Sequence, residues 1–193
     1  MTIIYKFVGL CSVNRDEIRK YKNIMKKSEV TVTKKVAIGV DVGGTNTAIG
    51  VVDVDGNVMF KDNIPTATHG DFEKFIEELT EAIKNLIKSG TLLNENLEVL
   101  GIGIGAPNGN YYNGTIEYAP NLSFRGVLHF IKLLRAQFPE MPALALTNDA
   151  NAAAIGEMIY GGARGMKNFV MYTLGTGVGS GVVVNGDLVY GHD

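Results

Sequence analysis

The chain has 193 residues, 46% hydrophobic and 20% charged, with a formal net charge of −2. That length can hold one large domain or one and a fraction, and the weak negative charge argues against a general nucleic-acid partner. The single cysteine, Cys11, excludes an intrachain disulfide and a multi-cysteine zinc site. A reducing, cytoplasmic location is expected, with no membrane partner, since no apolar run approaches the roughly 20 residues needed to span a bilayer.

Residues 1–35 differ from the rest. They carry nine Lys/Arg against three Asp/Glu, whereas 36–193 carry nine against seventeen. The opening TIIYKFVGLC has an apolar core of signal-peptide length, without the basic segment before it or the cleavage pattern after it. RDEIRKYKNIMKK (15–27) has little apolar face to bury, so a solvated, disordered extension is expected in preference to a nucleic-acid arm. Met25 could serve as the start, which would make the first 24 residues an artefact of gene calling.

From Val36 the pattern sharpens. VAIGVD (36–41) and TAIGVVDV (47–54) are β-rich runs, and VMFKDNI (58–64) follows an Asp-Gly turn as a third strand. Asp71 caps a helix to about Ser89, with apolar residues from Phe72 to Ile87 at three- and four-residue spacing. LEVLGIGIG (97–105) reads as a buried strand, followed by a polar loop with a hairpin at Asn113-Gly114. A helix over 127–137, a strand over 143–148 and a helix from Asp149 to about Tyr160 come next. Strands in a meander, then strands alternating with helices, predict an α/β fold with a mixed sheet.

Near its end the chain repeats its own opening. FVMYTLGTGVGSGVVVNGD (169–187) follows the plan of VAIGVDVGGTNTAIGVVDVDGN (36–57): apolar run, Gly/Thr turn, apolar run, tight turn. A Gly/Thr turn between strands offers backbone N–H groups and a hydroxyl to phosphate oxygens. Two such turns could grip a polyphosphate from both sides; the plain alternative is two tight hairpins. Other phosphate motifs do not fit. No G-x-x-x-x-G-K-[ST] is present, and GTGVGSG (175–181) has Ser180 at the third glycine position and leads into a strand. Asn148 and Asp149 fall where a strand gives way to a helix, the usual ligand position in open α/β sheets. Asp149 could take a proton from a substrate hydroxyl oriented by Asn148, or could simply cap the helix. Glu157, two turns further on, reads as structural.

DVGGTNTAIGVVD (41–53), GIGIGAPNG (101–109), EYAPNL (117–122), TNDANAAAIGE (147–157) and LGTGVGSGVVVNGDLVYG (174–191) together resemble, in order and spacing, the ROK family of bacterial sugar kinases and sugar-responsive repressors. The resemblance implies a ribonuclease H-like fold of the actin-like ATPase superfamily. The expected organisation is an N-terminal lobe over 36–162 and, over 163–193, the first hairpins of a truncated second lobe. It also implies an ATP- and Mg2+-dependent hexose kinase of glucokinase type, acting on glucose or an N-acetylhexosamine. Asp41, Gly43, Gly44, Thr45 and Asn46 match the first phosphate loop, and Gly175, Thr176 and Gly177 the second. Asp149 matches the catalytic base; Gly105, Ala106, Asn121 and Asn148 match the sugar pocket. The cysteine-rich zinc motif of many members is absent here, and His192 does not match the zinc-binding histidine. The 35-residue extension is also too short for the repressors' winged helix-turn-helix. A sugar-sensing regulator and an inactive kinase fragment are the alternatives. Little kinase activity from this form and a tendency to homo-oligomerise are further expectations.

Overall fold

The computed structural model describes residues 33–66, 70–92, 96–175 and 177–190. The bulk of the basic extension, including Cys11 and Met25, lies outside these residues, as do Thr176 and His192. A five-stranded sheet in the order β3-β2-β1-β4-β8 forms the centre. Its strands are β1 (Lys34–Val42), β2 (Asn46–Asp53), β3 (Val58–Pro65), β4 (Leu97–Ala106) and β8 (Leu144–Asn148). The first three form an antiparallel meander, and β4 and β8 run parallel to β1. This is the expected mixed sheet. β1 starts two residues inside the predicted extension, because Lys34 and Lys35 already pair with Leu97 and Glu98 of β4.

The two faces of this sheet are written into alternating residues. Val36, Ile38, Val40 and Val42 of β1, Ile49 and Val51 of β2, and Ile102 and Ile104 of β4 belong to one buried cluster. Helices α1 (Phe72–Leu92) and α2 (Phe130–Gln137) cover that face with Phe75, Ile76, Leu79, Ile83, Phe130 and Leu134. Burying each such side chain contributes about 1.5–3 kcal/mol. Asp71 caps α1 as expected, its carboxylate accepting from the Glu73 N–H at 2.9 Å.

On the opposite face the period-2 rule leaves small residues. Gly39 pairs with Gly50 and Gly103, Gly103 with Ala145, and Gly105 with Thr147. Helix α3 (Asp149–Ile159) contacts β4 and β8, with Ala150, Ala152, Ala153 and Ala154 all buried.

The repeated unit forms a separate sheet of β9 (Phe169–Leu174), β10 (Val178–Val184) and β11 (Asp187–Leu188), in the order β11-β10-β9. It lies against α3: a methyl group built on Gly181 would stand 2.5 Å from Cβ of Ala154 and 2.9 Å from the carbonyl of Ala150. One alanine-rich helix therefore contacts both the central sheet, at β4 and β8, and the second sheet. The outer side of the second sheet stays bare, with Tyr172, Leu174 and Val178 65%, 81% and 75% exposed.

A third small sheet holds β5 (Gly109–Asn110), β6 (Thr115–Glu117) and β7 (Val127–Leu128). β5 and β6 are joined by the expected turn at Asn113-Gly114, with Gly114 at φ +65°. The helix expected over 127–137 begins only at Phe130. Val127 and Leu128 pair with Glu117 and Ile116 after a turn at Gly126 (φ +84°), and this extended pairing overrides the helical spacing.

Candidate functional site

The carboxyl ends of β1, β4 and β8 lie side by side. Asp41 pairs with Gly105, Gly105 with Thr147, and Ala106 with Asn148. Four sequence-selected residues are thus brought to one edge: Asp41, Gly105, Ala106 and Asn148, with Asp149 next in the chain. Gly105 and Ala106 are buried and offer backbone alone.

Burial pushes the Asp41 carboxyl up to about 6, and the nearby carboxylate of Asp149 adds to the rise. Two acids are coupled at the mouth of the sheet. A group that is costly to ionise here is one that a cation or a shared proton would relieve.

Asn148, not Asp149, is the N-cap of α3. Its Oδ1 accepts from the Ala150 N–H at 2.9 Å, with extended backbone angles of φ −62° and ψ 145°. Asp149 is the first helical residue, and its Oδ1 also lies 2.8 Å from the Ala150 N–H. The capping role expected as the plain alternative for Asp149 therefore belongs mainly to its neighbour. At the far end of α3, Glu157 accepts from the Gly162 N–H at 2.8 Å, in keeping with a structural role.

The turn at 43–46 is closed by the Gly43 N–H donating to the Asn46 carbonyl at 3.1 Å, so the apex amides of Gly44 and Thr45 take no part in closing it. Gly44 packs so tightly on the Asn121 main chain that a methyl group there would collide with the Asn121 carbonyl. That contact joins the first loop to Asn121, whose side is exposed. In the second copy the Gly175 N–H donates to the Gly177 carbonyl at 3.0 Å; Thr176 lies outside the described residues. Gly179, two residues on, meets Cβ of Ala150 at 2.9 Å if given a methyl group, so this turn sits at the Asp149 end of α3. Both Gly/Thr turns and both acids thus gather around the start of one helix.

Sequence reasoning missed a pocket beside them. It measures about 450 Å³ and is lined by Asn108, Gly109, Asn110, Tyr111, Tyr112, Glu117, Tyr118, Asn148, Asn151 and Tyr190. Tyr111 and Tyr190 stack with ring centroids 4.4 Å apart and planes 19° off parallel. Burial, and then Tyr111 and Tyr112, push the Tyr190 phenol up to about 12. The available signal was the NGNYYNG loop (108–114), two adjacent tyrosines among turn formers that have no core to enter.

Among the described residues no group of three or more His, Cys, Asp or Glu side chains could hold a metal ion, and no helix is long and apolar enough to cross a membrane.

Comparison with known proteins gives the family and the fold. The ROK family model matches residues 37–193. A glucokinase from Streptomyces coelicolor is 36% identical over 159 residues, covering 81% of this chain and 46% of the relative. A putative xylose repressor from Caldicellulosiruptor is 29% identical over 163 residues, 84% of this chain and 39% of the relative. The structure of a ROK family glucokinase from Streptomyces griseus, in complex with glucose and AMPPNP, superposes with a TM-score of 0.68 at 30% identity. That match covers 81% of this chain and 47% of that one. The chain thus spans about half the length of the relatives it matches. Over nearly all of its described length it belongs to the ROK family.

Proposed function

We propose that this chain carries the catalytic half-site of an ATP-dependent hexose kinase, in which Asp149 is the general base. The observation that carries the reading is the convergence of Asp149, Asp41 and the two Gly/Thr turns at the N-terminal end of α3. The helix N-terminus and the apex amides favour negative charge, the requirement for polyphosphate binding. Asp149 stands at the same place and can accept the proton of a sugar hydroxyl as that oxygen attacks the γ-phosphorus. Asn148 spends its Oδ1 on the helix cap, which leaves the Nδ2 end of its amide to donate to the sugar. Asn121, joined to the first loop through Gly44, and the main chain at Gly105 and Ala106 complete the sugar side. Gly43, Gly44, Thr45 and Asn46 take one side of the phosphates; Gly175, Thr176 and Gly177 take the other.

Magnesium bound with ATP needs one or two carboxylates, with phosphate oxygens and water filling its other positions. The donor set here fits that demand. Asp41, held at a high pKa by burial and by Asp149, would hold the ion, whose chemistry is to neutralise charge on the transferring phosphate. Glucose is the expected sugar, since the glucokinase relatives and the glucose-bound structure are among the strongest similarities.

The test uses the full-length product of the gene. ATP-dependent glucose phosphorylation is expected to fall ~10²–10⁴-fold in Asp149→Asn while calorimetric glucose binding persists, because the amide keeps the shape of the carboxylate but cannot take the proton. Near wild-type turnover in this variant would refute the assignment. Sugar binding with no phosphorylation by the unaltered protein would favour the regulator reading, which the repressor relatives also support.

A further inference from the structure

The tyrosine-lined pocket does not coincide with the phosphoryl-transfer site. Neither Asp41 nor Asp149 lines it, nor do Gly105, Ala106 and Asn121; of the residues assigned above to sugar or phosphate, Asn148 alone stands on its wall. A hexose whose reacting hydroxyl lies at Asp149 therefore reaches the pocket only at its Asn148 edge. The remainder, toward Tyr111 and Tyr190, lies beyond that ring.

Its lining indicates the chemistry of an occupant. Tyrosines and asparagines dominate, Glu117 is the one charged side chain, and no lysine or arginine is present. A phosphate or carboxylate would find no cation there. A second pyranose ring would find what it needs: aromatic faces for its C–H side, and amides and a carboxylate for its hydroxyls. Tyr111 and Tyr112 are 43% and 69% exposed, so their rings are open to a ligand.

The backbone is also held in an uncommon shape there. Asn108 and Tyr118 both line the pocket, and both have positive φ, +51° and +50°. For a residue as bulky as tyrosine this is an outlier, and such strain collects at functional sites. It is locked in place: Glu117 N–H donates to the Asn108 carbonyl at 3.1 Å, Tyr118 N–H to the Gly126 carbonyl at 2.9 Å, and Asn108 Nδ2 to the Glu117 carbonyl at 3.0 Å. The loop is built to hold one arrangement of side chains rather than merely to connect two strands.

We infer that this pocket is a second saccharide subsite, so that the protein binds a glucose-containing disaccharide, with its distal ring on the tyrosines, more tightly than glucose. This inference rests on the proposed sugar site at Asp149. Tyr111 and Tyr190 provide the stacking wall, and Glu117 and Asn108 face the hydroxyls of the distal ring.

The experiment is a calorimetric titration of the full-length product with glucose, cellobiose and maltose, each without nucleotide. At least one disaccharide is expected to bind about tenfold more tightly than glucose. Tyr111→Ala should bring its affinity back to that for glucose, whereas Tyr111→Phe, which keeps the ring, should retain the advantage. Glucose binding as tightly as both disaccharides overturns this inference and leaves the Asp149 reading standing; binding of none of the three overturns both. Loss of the advantage in Tyr111→Phe as well would refute stacking. Displacement of the disaccharide by adenosine would reassign the pocket to the nucleotide and overturn the proposal.

Discussion

The charge placed on Asp41 is measurable without substrate. Its carboxyl is raised from 3.8 to about 6, first by burial and then by Asp149. Folding therefore favours the protonated acid, and stability falls as the pH rises from the unfolded value through the folded one. At about 1.4 kcal/mol per pH unit, the rise corresponds to at most about 3 kcal/mol, present in full below pH 4 and lost above about pH 6.5. Asp41→Asn replaces the acid by a neutral group of the same shape and should not show this loss. Urea denaturation of both proteins between pH 3.5 and 7.5 reads it directly, as the difference in midpoint at constant slope. The variant should gain on the wild type steadily across the window, ending up to about 3 kcal/mol more stable at neutral pH. Because part of the rise comes from Asp149, Asp149→Asn should shrink the effect without abolishing it. A difference that is flat with pH, or that grows in favour of the wild type, would show that the carboxylate at 41 is not penalised and that the two acids are not coupled as described.

Two further outcomes concern the second sheet. Gly181→Ala should cost ~1–3 kcal/mol, because its methyl group would meet Ala154 and the Ala150 carbonyl. Gly175→Ala, with nothing within 4 Å, should cost far less in the same urea titration, and equal losses would deny the close contact with α3. The bare face bearing Tyr172, Leu174 and Val178 should drive self-association of the 193-residue chain. Sedimentation should give a concentration-dependent mass above that of the monomer, reduced by Leu174→Glu with Val178→Glu; a monomer at every concentration contradicts this.

Much of the fold was legible because its rules are local. The alternation in VAIGVD, the spacing in α1 and the Asn-Gly and Asp-Gly turns each follow from neighbours a few residues apart. Helix 127–137 failed at its start for the converse reason. Val127 and Leu128 follow their partner strand, ten residues upstream, and no helical period within their own segment reveals that pairing. The site divided in the same way. Asp149, Asn148 and the two Gly/Thr turns stood out as short motifs, and the structure gathers them at one helix end. The pocket did not stand out, since Tyr190 and Tyr111 are far apart in sequence and become partners only when β11 returns toward the loop after β5. Asp149 was also read as a possible cap of α3, and backbone angles that the motif does not reveal put the N-cap one residue earlier, at Asn148.

The small residues that look least informative set how closely α3 and the second sheet approach. A helix lying on large side chains sits about 10 Å from its sheet. α3 instead contacts β4 and β8 on one side and meets Gly179 and Gly181 on the other, where Ala150 and Ala154 leave room only for glycine. Two sheets can thus close on a single helix. The ends of that helix and of the strands flanking it then converge, and Asp149, Asp41 and both Gly/Thr turns sit on those ends. If these are the reacting groups, as proposed, a displacement of ~1 Å can cost about 10²-fold in rate, so their spacing has to be held by rigid contacts. Glycine against alanine leaves no side-chain rotamer to absorb error. In the proposed reading, the repeat of the strand–turn–strand unit places two Gly/Thr turns for phosphate about one capped helix, the second of them held by the close approach of Gly179 and Gly181 to α3.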